Sequence, residues 1–500
     1  MKEIVLDGQS LTLEELTEIA QGEAQVACDP MCCKHVQESR EIMIGLMGKQ
    51  AIYGLNRGVG WNKDVVNTAQ MLKAYNVRLL NSHAVGLPPY HTVMEARAIL
   101  AIRLNTALSG ASCITDRCLS MYQDFLNHGI TPLIPRRGSV GEGDITTLSH
   151  IGQAFMGKGL VYYRGKQMDS LAAMQTEGIT PLSPDWKDGH SIIVSNAQGE
   201  AMTAILLLET EKLMAVANLI YCLDYEGLNG VVESLDASVN EIRKNTNQSK
   251  SAAQCRRFLQ GSYLLEPDAT RPLQDPLSFR GGFAIHGTVL DAVDFLKKHL
   301  LPQINSPADN PCILREEKRV CVTSNFETTT LAIGVEMLKS ALAHASKATC
   351  YRMLKMGDPT FTRLTRYLAP PQTQVMGYAI LQDTFMSLYA ENRHLCNPAT
   401  MDFDQLEGTI EDHASNLPYV TDTALKMLDN LRYLLAMEAM FAAQAVDLRG
   451  NVQLGAFTQK AYAAIRAEIP FLLEDRLIHR DICKAYDLIC SDKLFQITRG

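Results

Sequence analysis

No stretch of this chain is apolar over the length needed to span a bilayer, which excludes a membrane-spanning helix. The opening stretch MKEIVLDGQSLTLEELTEIA lacks the apolar core of an export signal and reads as a short strand, a turn and a helix. Positive charge is in deficit: 47 Lys and Arg face 55 Asp and Glu, a net charge of -8. A broad nucleic-acid surface is therefore not expected. Internal repeats and low-complexity segments are also missing. The cysteines number 13 but follow no pairing pattern, so reduced thiols in a cytoplasmic protein are expected. One stretch, CDPMCCKHV, crowds Cys28, Cys32, Cys33 and His35 together. It has no second spaced pair nearby, so these are read as small buried residues and no metal site is predicted.

What is present is apolar mass. Hydrophobic residues make up 46% of the 500 and charged residues 20%, enough for a large core and more than one domain. The first 200 residues alternate short helical patterns with Gly/Pro-rich loops, of which YGLNRGVGWNKD and PRRGSVGEGD are the most loop-like. From Glu200 the texture changes to long runs with apolar residues at helical spacing. Four stand out: EAMTAILLLETEKLMAVANLIYCLDY, TTTLAIGVEMLKSALAHASKATCYRML, VMGYAILQDTFMSLYAENRHL and TDTALKMLDNLRYLLAMEAMFAAQAVDLRG, the last stopping at Gly450. Their apolar residues cover more than one face, as in the middle of a large bundle or a symmetric oligomer. The expected fold is mainly α: a long-helix bundle over 201–450, a smaller mixed lobe over 1–200 carrying the active-site loops, and a helical tail over 451–500.

Several polar constellations interrupt these patterns. Tyr53 is followed by Gly54, Gly58 and Gly60; it could act as a base only if its surroundings lower its pKa. His83 lies in LLNSHAVG. Gln274 and Arg280 flank an Asp-Pro turn, where an arginine can clamp a carboxylate. Asn310 precedes Pro311, and Phe326 lies in VTSNFE. Glu411, Asp412 and His413 are adjacent, and three polar groups beside apolar helices are costly to bury without partners. Taken singly, each is compatible with a packing or surface role.

In this order, however, the motifs resemble the aromatic amino acid lyase and aminomutase family, which includes histidine and phenylalanine ammonia-lyases. YGLNRGVG is similar to the family's tyrosine loop, SHAVG to its Ser-His-Ala-x-Gly segment, and GSVGEGD to its electrophile loop. SNAQGEAMTA resembles the Asn-Gly-Thr-Gln segment with one residue inserted, and QDPLSFR, DNP, NF, EDH and AAQAVDLR follow in family order. The resemblance runs from about Ile52 to Gly450. It implies an ammonia-lyase-like fold and a homotetramer with active sites shared between subunits. It also implies roles: Tyr53 as the base that takes the β-proton, His83 and Glu411 at an imidazole-type ring, and Arg280 at the carboxylate with Asn310 close by. Asn196 and Phe326 fall beside the electrophile, and Gln274 in the carboxylate-binding turn.

Two positions depart from that pattern. Leu277 stands where the family has a tyrosine. More consequentially, Gly141-Glu142-Gly143 stands where an Ala-Ser-Gly triplet would cyclise to methylideneimidazolone. Asp144 and His150 keep the family spacing, and Ser139 is followed by Val140 rather than glycine. No methylideneimidazolone and no other cofactor is therefore predicted. That electrophile captures the lone pair of a primary amine, whereas a quaternary ammonium group has none and leaves as a neutral amine. One branch of the resembled family acts in this way on ergothioneine. The expected reaction is loss of trimethylamine from a histidine-derived betaine, with Glu142 facing the cation and aromatic faces such as Phe326 adding cation–π attraction. Two alternatives remain: a lyase or aminomutase acting on a histidine-like or aromatic primary amino acid, and a catalytically silent amino-acid-binding member.

Overall fold

The computed structural model describes residues 2–500 and is mainly helical. The chain forms two compact units. The first comprises Met1–Ile205, Leu296–Ile333 and Pro398–Asp422. The second comprises Leu206–Phe295, Gly334–Asn397 and Thr423–Gly500. The contiguous division expected from the sequence, at 200 and 450, differs from this. Two turn-rich segments, 296–333 and 398–422, return to the first unit, and the tail 451–500 belongs to the second.

In the first unit the expected strand, turn and helix are present at the start. Strand Lys2–Leu6 pairs in parallel with Ala24–Cys28, and helix Leu13–Gln21 connects them. That helix packs on Val93–Ala107, in which every residue from Glu95 to Ala107 is buried. The sequence explains this: Ala, Ile and Leu occupy all sides of the helix, so it has no wet face. Its three charged residues are buried with partners. Arg97 donates to the carbonyls of Ile19 and Leu126, and Arg103 to Ser191 and to the Asp309 carboxylate. Glu95 closes a capping box with Thr92 and receives both its other partners, His91 and Arg136, on the same carboxylate.

In the second unit the core lies along the long helices. Ala197–Leu228, Thr329–Met356 and Leu417–Arg449 each continue into it, joined by Leu381–Leu395 and the helices of the tail. A fully buried Arg352 sits there with Glu438 at 2.5 Å and Asp224 at 3.6 Å. Burial and the neighbouring Glu438 push the Asp224 carboxyl well up. Three of the four helical runs read from the sequence are near their expected places, and Gly450 ends the last in a left-handed conformation. The run from Val375 starts later, at Leu381. Gly377 is left-handed and a Cβ there would lie 2.5 Å from the Tyr367 carbonyl oxygen, so the chain turns there before it coils. All 13 cysteines are free thiols. Among the described residues no helix is long and apolar enough to cross a membrane.

Arg136 opens the loop that leads to Glu142 and bridges Glu95 and Asp422, donating to Asp422 at 2.8 Å. Burial pushes the Glu95 carboxyl up, but the His91 hydrogen bond and Arg136 outweigh it and bring it down to about 2. A depressed carboxyl stabilises the fold above its unfolded value, and the contribution disappears as pH falls through about 2. Arg136→Met leaves two carboxylates without their guanidinium. The expected cost is about 3 kcal/mol in chemical denaturation, with acid unfolding starting at higher pH.

Candidate active site

The tyrosine loop is held from below and from the side. Ile52 and Leu55 are buried in a small core with Met43, Leu72, Cys113 and Ile313. Asn56 ties the turn together, accepting from the Ile52 N–H and donating to the carbonyls of Met47 and Gln50. Gly54 has φ +69°, and a Cβ there would lie 2.8 Å from the His190 ring, so only glycine fits. The result is a Tyr53 ring set edge-on to His190 at 5.5 Å. The Tyr53 hydroxyl oxygen accepts from the Gly60 N–H at 2.7 Å. Burial raises the Tyr53 pKa, the Gly60 N–H works against that, and Glu411 and Glu407 add to the rise. The surroundings in the free protein thus do the opposite of what a tyrosine base requires.

His83 is the last residue of helix Leu72–His83. Its Nδ1 lies 2.9 Å from the Leu79 carbonyl, an acceptor, which assigns the ring proton to Nδ1 and leaves Nε2 as an acceptor. Burial lowers its pKa, so the ring is neutral at physiological pH.

The Glu142 loop is built on Asp144. This carboxylate is enclosed by protein and accepts from Ser139 Oγ at 2.5 Å and from the N–H groups of Gln198 and Gly199. These last two open helix Ala197–Leu228, whose amino-terminal dipole suits an anion. Gly141 and Gly143 both take positive φ, and a Cβ on Gly141 would lie 2.6 Å from Ser415 Oγ. The Gly143 N–H donates to Asn196 Oδ1 at 2.8 Å, and Asn196 Nδ2 donates to the Phe326 carbonyl at 2.6 Å. Asn196 therefore clamps two loops, with both ends of its amide engaged by backbone.

Between these clamps Glu142 is half-buried, and its Oε1 has no hydrogen-bond partner among the described residues. Burial, then Glu327, then Glu411 push its carboxyl up to about 8. Glu327 is the residue after Phe326. It accepts from Thr329 N at 2.7 Å and Thr329 Oγ1 at 2.5 Å, and pairs with His413 Nε2 at 3.0 Å. Glu142, Glu327 and His413 each offer one ligand atom, all within 4.8 Å of one another, which is where a cation could be held. Glu411 is anchored by a β-bridge to Leu406, and burial followed by Glu407 raises its carboxyl. Glu407 Oε2 in turn accepts from the Trp61 N–H beside the tyrosine loop.

The first unit thus carries Tyr53, His83, Glu142, Asn196, Asn310, Phe326 and Glu411. Asn310 spends its carboxamide oxygen on the Thr323 N–H. Gln274 and Arg280 lie in the second unit, where Arg280 donates to Gln274 Oε1 at 2.5 Å; Leu277 beside them is 72% exposed. Sequence reasoning missed Glu327 and Glu407. Glu327 had a signal in its place directly after Phe326, and Glu407 in standing one short turn before Glu411. Asn196→Ala would leave the Gly143 N–H and the Phe326 carbonyl unpaired. The expected loss is about 2 kcal/mol in urea denaturation, with faster proteolysis of both loops.

The sequence model of the family described as aromatic amino acid lyase matches residues 11–467. Histidine ammonia-lyase of Geobacillus sp. (strain WCH70) is 32% identical over 481 residues, 96% of this chain and 95% of that protein. Histidine ammonia-lyase of Treponema denticola is 31% identical, covering 99% and 98%. Among solved structures, the ergothioneine-degrading enzyme ergothionase from Treponema denticola, in complex with desmethyl-ergothioneine sulfonic acid, superposes with a TM-score of 0.97. It is 50% identical and covers 99% of each chain. A tyrosine aminomutase from Streptomyces globisporus gives a TM-score of 0.92 at 26% identity, over 99% of this chain and 98% of that one. The chain belongs to the aromatic amino acid lyase family and is a carbon–nitrogen lyase with the ammonia-lyase fold.

Proposed function

We propose that this enzyme eliminates trimethylamine from a histidine-derived betaine, converting ergothioneine to thiourocanate, and that it does so without methylideneimidazolone. The observation that carries the reading is Glu142: a half-buried carboxylate with an unpartnered oxygen at the centre of the loop where the family builds its electrophile. The residues present do not fit that group. Glu142 has no β-hydroxyl to lose, and the Gly143 N–H is given to Asn196. Likeness to the Treponema denticola ergothionase at 50% identity supports the substrate class.

In this reading the betaine places its trimethylammonium group against Glu142, with the Phe326 face available for cation–π contact. The neutral His83 accepts at Nε2 from a ring N–H, and Glu411 takes the other side of the ring. Arg280 grips the substrate carboxylate, with Gln274 steadying the guanidinium and Asn310 and Asn196 shaping the wall. Arg280 and Gln274 reach the site from a neighbouring copy, within a homotetramer of cytoplasmic chains whose active sites are shared. Tyr53 gives its hydroxyl proton to solvent as substrate binds, and the phenolate then removes the β-proton. The released electron pair forms the Cα=Cβ bond, the C–N pair departs with nitrogen, and neutral trimethylamine leaves. The proton ends on the Tyr53 oxygen. Glu411 and Glu407 raise the tyrosine pKa in the free protein, and a bound cation opposes them, so the phenolate is populated when substrate is in place. The Gly60 N–H adds a donor to the phenolate.

A second reading, ammonia release from L-histidine, is favoured by the histidine ammonia-lyases that match across the chain. One assay separates them. Ergothioneine, hercynine and L-histidine are followed in parallel by near-ultraviolet absorbance and by amine release. Trimethylamine from a betaine, with no ammonia from L-histidine, is the expected result; ammonia from L-histidine would overturn it. Tyr53→Phe is expected to lower kcat by about 10³ with substrate binding retained, the range for loss of a general base.

A further inference from the structure

The resemblance to the family assigns Glu142 no neighbours, yet the structure gives it two. Glu327 is fixed by two donors, the Thr329 N–H and the Thr329 hydroxyl, and its other oxygen lies 3.0 Å from His413 Nε2. Held in this way, Glu327 stands beside Glu142: the Glu142, Glu327 and His413 ligand atoms lie within 4.8 Å of one another. Two carboxylates this close cannot both hold full charge at low cost in a partly desolvated pocket.

We propose that Glu327, held by His413, is the second carboxylate of the cation subsite, and that a permanent cation entering it displaces one proton from the Glu142–Glu327 pair to solvent. The inference rests on the reading that the substrate carries a quaternary ammonium group. Burial, Glu327 and Glu411 push the Glu142 carboxyl up to about 8, so it carries a proton through most of its time at neutral pH. The charged and titratable groups facing Glu142 are Glu327, Glu411 and His413, with Glu407 and Tyr53 behind Glu411. None of these is a fixed cation. A quaternary ammonium group brings no proton of its own, so its arrival converts the carboxylic acid to a carboxylate and one proton departs. Glu327 and His413 are therefore specificity-determining residues: they make the subsite accept a cation in exchange for a proton.

The test uses the full-length enzyme and the tetramethylammonium ion as probe, by isothermal titration calorimetry at pH 7.0 in buffers of different ionisation enthalpy. Close to one proton, about 0.9, should be released per cation bound, given a group that titrates at about 8. In Glu327→Gln, affinity should fall roughly tenfold and proton release should fall, because the repulsion of Glu327 on Glu142 is removed while burial remains. With ergothioneine, KM should rise roughly tenfold with kcat little changed, and the pH limb of kcat/KM near 8 should move to lower pH. Glu327→Asp should restore most of the affinity. An equal thermal midpoint for Glu327→Gln and parent shows that the change is local. Unchanged probe affinity and unchanged proton release in Glu327→Gln would overturn the inference, as would cation binding without proton release by the parent enzyme. If ergothioneine is not turned over while tetramethylammonium binds with proton release, the reaction assigned above fails and the subsite stands. If ergothioneine is turned over and Glu327→Gln behaves as the parent, the reverse holds.

Discussion

Asp144 is enclosed by protein, yet it accepts hydrogen bonds from Ser139 and from two N–H groups at the head of helix Ala197–Leu228. Its own N–H donates to the Ser195 carbonyl. Much of the site hangs on this knot. It sets where the chain leaves Gly143, and so where Glu142 sits. It also seats the start of the helix behind Asn196, which reaches across to the Phe326 carbonyl and thereby places Glu327. Burial pushes the Asp144 carboxyl up to about 6, opposed by its hydrogen bonds, so the knot holds its charge only because its donors are aligned.

Charge in the first unit is distributed to a purpose. Glu411 and Glu407 act on Tyr53, Glu327 and Glu411 act on Glu142, and each named effect on these two groups other than the Gly60 hydrogen bond acts in one direction, upward. Burial contributes to both. Three arginines of the same unit are engaged elsewhere, Arg97 and Arg103 in the core and Arg136 on Glu95 and Asp422. A cluster so short of cations is costly on its own and attractive to a ligand that supplies one.

The helices were legible because apolar spacing and length speak for themselves: the stretches behind Ala197–Leu228 and Leu417–Arg449 have almost no breakers. The start of Leu381–Leu395 was not, because a single glycine held against a carbonyl decides it, and that contact is tertiary. At the site, order of motifs identified Tyr53, His83, Glu142 and Glu411. The pairing of Glu327 with His413 could not be read, since the partners lie far apart in sequence and meet only through the fold. Nor could the two-unit division, because segments 296–333 and 398–422 look like interruptions of helices rather than parts of an earlier lobe. The environment of Tyr53 is a further case: glycines around a tyrosine suggest mobility, whereas burial and two carboxylates set its proton affinity.

The return of those two segments has a consequence for how the enzyme is made. Synthesis delivers Tyr53, His83 and Glu142 early, Phe326 and Glu327 much later, and Glu411 and His413 later still. The amino-terminal part must wait on the ribosome with its acidic pocket open until four-fifths of the chain has emerged. Contacts of such long sequence separation form slowly, and domains that depend on them fold late. No early fragment can possess a finished pocket, so a nascent or truncated chain is kept inert by connectivity alone.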